Sequence, residues 1–283
     1  MERSAVQNFL LGCQHLLAMF GATVLVPLIT GFSPAAALLS AGIGTLVFHL
    51  CTKGKVPVFL GSSFAFISAL CAVVAGNAAN IPKAQGGIIA AGLVYLVFSL
   101  IVYFMGADRV RKLFPPLVTG PVIIIIGLSL TGVGVSDAFG KFENGTLSQS
   151  NLLNALIALA TFAIIVFGMN RAKGFFRLIP ILIGIAGGYL LCLILSWAGL
   201  FHMDFHAIRT APWINIPFKT EGFLTLPQFD WSAIVLIAPI ALVTFMEHLG
   251  DITTNGAVVG KDFFKDPGLH RTLLGDGLAT ITA

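Results

Sequence analysis

Pro57-Val-Phe-Leu-Gly61-Ser62-Ser63-Phe64-Ala-Phe66 interrupts what would otherwise be one more apolar helix. Pro57 opens it, β-compatible residues lead to Gly61, and two serines suited to N-capping precede a helical stretch. One reading is a short extended piece followed by a half-length helix that begins near Ser62, inside the membrane. Such a broken helix survives only where protein or a polar cavity covers the freed backbone groups. Its N-terminus offers unpaired N–H donors to a ligand oxygen. Discontinuous spans of this kind mark substrate sites near the midplane of transporters. The other reading is an unbroken helix that uses Gly and Ser as small packing residues. The pattern alone supports both.

The surroundings place this stretch in a membrane. The chain has 283 residues, 57% hydrophobic and 10% charged, against about 25% charged in an average soluble domain. A mean hydropathy of +0.96 leaves too little polar surface for a water-soluble fold. The charges are also segregated. None falls between Arg3 and Lys53, between Lys112 and Asp137, or between Arg177 and Asp204. Uncharged apolar runs of roughly 18 residues or more read as spans, since about 20 residues at 1.5 Å rise cross the hydrocarbon core. Eight spans are predicted, near 9–30, 35–52, 57–75, 86–105, 117–135, 152–168, 178–199 and 231–250, with a ninth beginning near 272. The first is too long for a signal peptide and has no basic cluster ahead of it. The ninth run, Thr272–Ala283, has 12 residues and is too short to cross. The chain is therefore expected to be the N-terminal part of a longer transporter. Cys13, Cys51, Cys71 and Cys192 lie in or beside apolar runs without metal spacing and read as small packing residues.

Loop charges give an orientation. With the N-terminus in the cytoplasm, twelve of the 16 Lys and Arg fall inside: Arg3, Lys53, Lys55, Arg109, Arg111, Lys112, Arg171, Lys173, Arg177, Lys261, Lys265 and Arg271. Lys83, Lys141, Arg209 and Lys219 fall outside. This bias is the positive-inside pattern. It accounts for the net charge of +4 as topology, so nucleic acid is not an expected partner.

The predicted eighth span carries Glu247-His248-Leu249-Gly250-Asp251 after sixteen uncharged residues. Glu247 and Asp251 are four apart and share a helix face. Ionisable groups within a span are functional candidates, and a desolvated carboxyl suits proton exchange. The alternative is that the membrane ends near Glu247 and both are wetted residues at the helix end, more so Asp251. In the first span, Gln14 and His15 read as satisfying each other or nearby backbone more than as direct ligand contacts. Gln14-His15-Leu16 is echoed by Glu247-His248-Leu249. Seven spans separate them, and an odd number inverts the second copy.

Weaker signals point elsewhere. His202-Met-Asp204-Phe-His206 has donors for a metal, but on a loop these read as solvated. Asn144-Gly-Thr146 reads as a turn before it reads as a glycosylation site. No dinucleotide fingerprint and no Walker lysine is found, so neither a nucleotide cofactor nor ATP coupling is expected. An intramembrane enzyme would need a nucleophile–base or metal constellation, which Gln14, His15, Ser63 and Glu247 do not resemble.

Gln14-His-Leu-Leu-Ala-Met-Phe-Gly-Ala-Thr-Val-Leu-Val-Pro27 closely resembles the first span of bacterial uracil permeases. So do Gly61–Ser68, Leu113–Pro116, Ile179–Gly184, Glu247–Gly250 and the Lys261–Arg271 stretch, in the same order. The combination resembles the nucleobase–ascorbate (nucleobase/cation symporter-2) family, and its first and third blocks point to the uracil branch.

That resemblance implies an all-α polytopic fold of two inverted repeats of seven spans, with a broken third span carrying a short β-strand. It divides this chain into core spans 1–4 (1–112), gate spans 5–7 (113–200), an external loop (201–230) and the start of the second repeat (231–283). It implies import of a nucleobase by proton symport across the inner membrane, with the proton as coupling ion and no cofactor. Phe64 would offer a backbone N–H and a ring edge, and Glu247 would accept the ring N–H groups of uracil. Ser62, Ser63 and Ala22 complete the expected contacts, with Glu247, Asp251, His15 and Gln14 in proton coupling or support. Membrane lipid and a homodimer partner are also expected. A tenth span, bearing the other half of the family's site, is absent from this sequence. Asp251 stands where the best-known uracil permeases carry a histidine, which opens the preference toward xanthine. A purine permease of the same family is the first alternative. An anion transporter of the same fold is the second, and Glu247 opposes it because a carboxylate repels anions.

Overall fold

The computed structural model describes residues 12, 15, 19, 23–140, 149–173, 180–210 and 225–282. Residues 23–30 form the helix α1. α2 is Pro34–Thr52, α3 Ile67–Val74, α4 Ile81–Met105, α5 Ala107–Leu113, α6 Pro116–Ser129, α7 Thr131–Phe139, α8 Gln149–Arg171, α9 Pro180–Trp197, α10 His206–Thr210, α11 Trp231–Ile237, α12 Ile240–Val259 and α13 Leu269–Thr282. Local chemistry sets their ends. Ser33 caps α2 by accepting from the Ala36 N–H, and Pro34 sits where a helix does not need its N–H. α2 stops at Lys53, whose left-handed backbone (φ 56) sends its N–H back to His49 and Leu50. Asp230 caps α11 through the Ser232 and Ala233 N–H groups. The Ser232 hydroxyl and these N–H groups hold its carboxyl below the ordinary range.

Five helical stretches among the described residues are long and apolar enough to cross a membrane: Pro34–Thr52, Ala78–Met105, Leu117–Phe139, Ser150–Arg171 and Trp231–Val259. In lipid, apolar side chains gain little by leaving the acyl tails, so packing and hydrogen bonds hold such helices together.

The chain divides into two compact units, Met1–Phe20 with Ser129–Asn215, and Gly21–Leu128 with Ile216–Ala283. In the first, α8 packs on α9, and Asn151 Nδ2 donates to the Phe139 carbonyl at the end of α7 (2.7 Å). In the second, α13 packs against both α2 and α4. Gly277 allows this close approach: a Cβ there would lie 2.8 Å from Tyr95 Cβ and 3.1 Å from the Gly92 carbonyl. Phe48, Ile237, Phe263, Leu269 and Leu273 fill the core of this unit, each almost fully buried.

Several boundaries depart from the sequence reading. α4 begins five residues before the predicted span, and α13 begins at Leu269 rather than near 272. The eighth span is not one helix. It breaks between α11 and α12 at Ala238-Pro239, because Pro239 has no N–H to continue the ladder. α12 then continues to Val259, well past the predicted end at 250. The third span is interrupted, but without a strand: no strand occurs among the described residues. Residues 57–63 carry no regular structure, Phe64–Phe66 form a 3-10 turn, and α3 follows. A strand requires an extended neighbour to bond with. Leu60 bonds instead to a side chain on α2, donating its N–H to Thr45 Oγ1 (3.0 Å). The helical part begins at Phe64, two residues beyond Ser62.

Candidate functional site

The site is built on α12. Its buried face follows Ala241, Thr244, Phe245, His248, Leu249, Ile252 and Gly256 at helical spacing. Thr244, Glu247, His248, Asp251 and Asn255 make a polar stripe along one side of the same helix. Glu247 is half-buried and Asp251 exposed. Both sit inside α12 rather than at its end, and Glu247 is near the middle of the 29-residue stretch Trp231–Val259. An acidic residue there costs about 2.5–3.5 kcal/mol on insertion scales, so a stripe of them calls for a function.

Two contacts bring this stripe toward the interrupted third span. Asn255 Nδ2 donates to the Pro57 carbonyl (3.2 Å), and the 3-10 turn Phe64–Phe66 packs on α12. Ser63 caps that turn with its Oγ, accepting from the Ala65 N–H at 3.4 Å. Ser62, Ser63 and Phe64 are each half-buried. The structure thus sets a helix start bearing Ser62, Ser63 and Phe64 beside the helix that bears Glu247 and Asp251. His15 is exposed and belongs to the first unit. Gln14 and Ala22 lie outside the described residues.

Sequence reasoning missed Asp276. It lies on α13, and its carboxylate meets His248 Nδ1 at 2.9 Å. His248 Nε2 meets Thr272 Oγ1 at 3.0 Å. Tyr95 of α4 stands edge-on to the imidazole, with ring centroids 6.4 Å apart. Glu247 is within electrostatic reach of Asp251, Asp276 and His248, so four ionisable groups act on one another here. The signal for Asp276 was present in Gly275-Asp276-Gly277, an acid between two glycines inside an apolar run.

One end of the same unit is fastened by ion pairs. Lys55 Nζ meets Asp266 at 2.5 Å, and Arg111 meets Asp262 at 2.9 Å. The Arg111 guanidinium also stacks 4.2 Å from the Phe264 ring centroid. Burial pushes the Asp262 carboxyl up, but its bonds to Arg111 and to the Phe264 N–H outweigh this and hold it below its ordinary 3.8. These contacts join the 53–55 turn, the helix α5 and the 261–266 segment at one end. On the His202–His206 loop, Asp204 accepts the His206 N–H (2.7 Å) at the start of α10.

The apolar helices, the interrupted third span and the ionisable groups within α12 and α13 define a multi-pass membrane protein. Residues 6–283 match a family model described as a permease family, and the chain belongs to that family. It is 44% identical over 283 residues to a protein of Pasteurella multocida (strain Pm70) named "Probable uracil permease", covering 100% of this chain and 64% of that protein. It is 44% identical over 272 residues to the uracil permease of Bacillus caldolyticus, covering 96% of this chain and 60% of that one. It is 42% identical over 274 residues to the uracil permease of Bacillus subtilis (strain 168), covering 95% and 61%. The chain therefore spans less than two thirds of the length of these relatives.

Proposed function

We propose that the intact protein imports uracil across the cytoplasmic (inner) membrane by proton symport. The observation that carries this is the placement of Glu247, a half-buried carboxylate mid-way along an apolar helix, on the helix against which the Phe64 turn packs. Uracil presents two ring N–H donors and two carbonyl acceptors. A carboxylate accepts N–H groups and nothing else, and a helix start donates them, so the two sides suit opposite edges of the base. The names of the relatives agree with this substrate. A cluster of Glu247, Asp251 and Asp276 opposes an anion as cargo and favours a proton as coupling ion. Phe64, Ser62 and Ser63 are the proposed donors and wall. Glu247 and Asp251 are the proposed links between substrate and proton.

The proposed orientation has the N-terminus in the cytoplasm. The 53–55 turn, α5 and the 261–266 segment, whose basic residues all fall inside by the Lys/Arg count, are the segments that the ion pairs draw together.

Proteoliposomes carrying the intact protein test this reading. An inward-directed proton gradient is expected to drive uracil accumulation, which a protonophore abolishes and excess unlabelled uracil competes away. Xanthine is expected to compete weakly. Uptake that ignores the gradient would refute symport, and stronger competition by xanthine than by uracil would overturn the substrate.

A further inference from the structure

His248 and Asp276 form the most enclosed titratable pair among the described residues, and uracil recognition does not use it. The His248 side chain is 7% exposed and that of Asp276 22%. Thr272, the second partner of the imidazole, is fully buried. Counting protons at this site gives two complete arrangements. A carboxylate can only accept, so Nδ1 carries a proton and donates it to Asp276 at 2.9 Å. Thr272 Oγ1 has one hydrogen and two candidate acceptors, His248 Nε2 at 3.0 Å and the Leu269 carbonyl at 2.9 Å. If the hydroxyl donates to Nε2, the ring is neutral. If the hydroxyl donates to Leu269, its oxygen is free to accept from Nε2–H, and the ring is an imidazolium beside the Asp276 carboxylate. Both arrangements leave every ring nitrogen bonded. They differ by one proton at Nε2 and one rotation of a hydroxyl.

Buried groups usually satisfy only one protonation state, because the other strands a donor or acceptor at a cost of about 1–3 kcal/mol. Here the threonine rotor removes that cost. We propose that His248, Asp276 and Thr272 are a second proton-binding site, distinct from Glu247, at which a proton is taken up on His248 Nε2 as the Thr272 hydroxyl turns to Leu269. The proton site stands on this geometry. Its role in coupling rests on the transport reading above.

The groups that face it are few. Its own helix brings Glu247 and Asp251, α13 brings Asp276, and α4 brings Tyr95. α2 brings Cys51, packed on Gly275 near Arg271. α6, α11 and the 3-10 turn contribute no titratable residue. Glu247, Asp251, Asp276 and His248 lie within electrostatic reach of one another, so a charge gained at His248 is felt at Glu247. This is a physical route by which a bound proton would strengthen or weaken the grip on uracil.

The imidazole itself reports the site. The protein labelled with 15N-histidine, in lipid bilayers without uracil, is followed by solid-state NMR from about pH 5 to 8. The His248 signal is assigned by its loss in His248→Gln. The expected result is one protonated and one bare ring nitrogen at high pH, replaced by two protonated nitrogens at low pH. Asp276→Asn is expected to abolish the imidazolium at pH values where the parent shows it. Thr272→Val, which keeps the shape but removes the rotor, is expected to lose the same form. A ring that stays in one state across the range in the parent would overturn the proposal, as would an imidazolium unaffected by both substitutions. The readout needs no uracil, so failure of the uracil reading leaves it intact. If the uracil reading holds, Thr272→Val is also expected to change the pH profile of uptake.

Discussion

The α8–α9 pair of the first unit and the α4–α13 pair of the second are both apolar helices brought close by glycine, yet their surroundings bury different things. At Gly188 of α9 a Cβ would lie 2.5 Å from Thr161 Oγ1 of α8. At Gly277 of α13 it would lie 2.8 Å from Tyr95 Cβ of α4. The approach is similar, but α8 and α9 carry no acid or lysine, and Arg171 at the end of α8 is their one charge. α12 and α13 bring three carboxylates and a histidine within reach of one another. Small residues alone suffice to pack helices in lipid. The charges of the second unit go beyond what close packing of helices requires, which is why binding and proton chemistry are proposed there.

The largest expected effect breaks the charged side of this comparison. Asp276→Ala leaves the His248 Nδ1–H without its acceptor. Leaving a buried donor without its acceptor costs about 1–3 kcal/mol, and more where the ring is charged. Thermal unfolding in detergent is expected to show a clear fall in Tm, whereas Asn170→Ala on α8 leaves it nearly unchanged. Equal effects would mean that the pair does not matter to the fold.

Next come the glycines. Gly277→Ala and Gly188→Ala are each expected to cost about 1–3 kcal/mol by overpacking. Only Gly277→Ala is expected to alter uracil affinity, since a shift of α13 moves the Asp276 charge that acts on Glu247. A loss of affinity in Gly188→Ala with Gly277→Ala normal would reverse the assignment of the two regions. As a control, a Cβ at Gly127 of α6 meets nothing within 4 Å. Gly127→Ala is expected to be neutral or to stabilise by up to about 1 kcal/mol.

The smallest effect is at the ion-paired end. Arg111→Met is expected to cost less than about 1 kcal/mol, as for other exposed pairs. Because the Asp262 carboxyl is held below 3.8, its contribution is present above that value and is lost as pH falls through the lower, folded one. Proteolysis of the 260–268 loop is expected to rise on acidification through that range in the parent, and to be less sensitive to it in Arg111→Met.

Much of the helical plan was legible in the sequence because charge-free runs announce apolar helices directly. The interruption of the third span was legible too, since Pro57, Gly61 and the serine pair are local signals. What the sequence reading got wrong depends on partners distant in the chain. The expected strand is absent because no extended segment among the described residues pairs with residues 57–63, and Leu60 bonds to Thr45 on α2 instead. The break at Pro239, by contrast, has a local cause, a proline within an apolar run, and the sequence reading passed over it. Glu247 and Asp251 stood out as charges in an apolar run, and the continuation of α12 to Val259 keeps both within the helix. Asp276 could have been found as an acid in an apolar run, but its pairing with His248, 28 residues away, has no periodicity to reveal it.

The central claim is that Glu247 holds uracil, and calorimetric titration of uracil into the purified intact protein at constant pH tests it most directly. Glu247→Gln replaces a carboxylate that accepts through both oxygens with an amide that accepts through one atom and points a donor at the ligand. The lost charge-assisted bonds are worth about 1.5–3 kcal/mol, or roughly a tenfold to more than hundredfold loss of affinity. Glu247→Asp is expected to be milder, and Asp251→Asn to change binding little while altering the pH dependence of uptake. Near-normal uracil binding by Glu247→Gln would contradict the account.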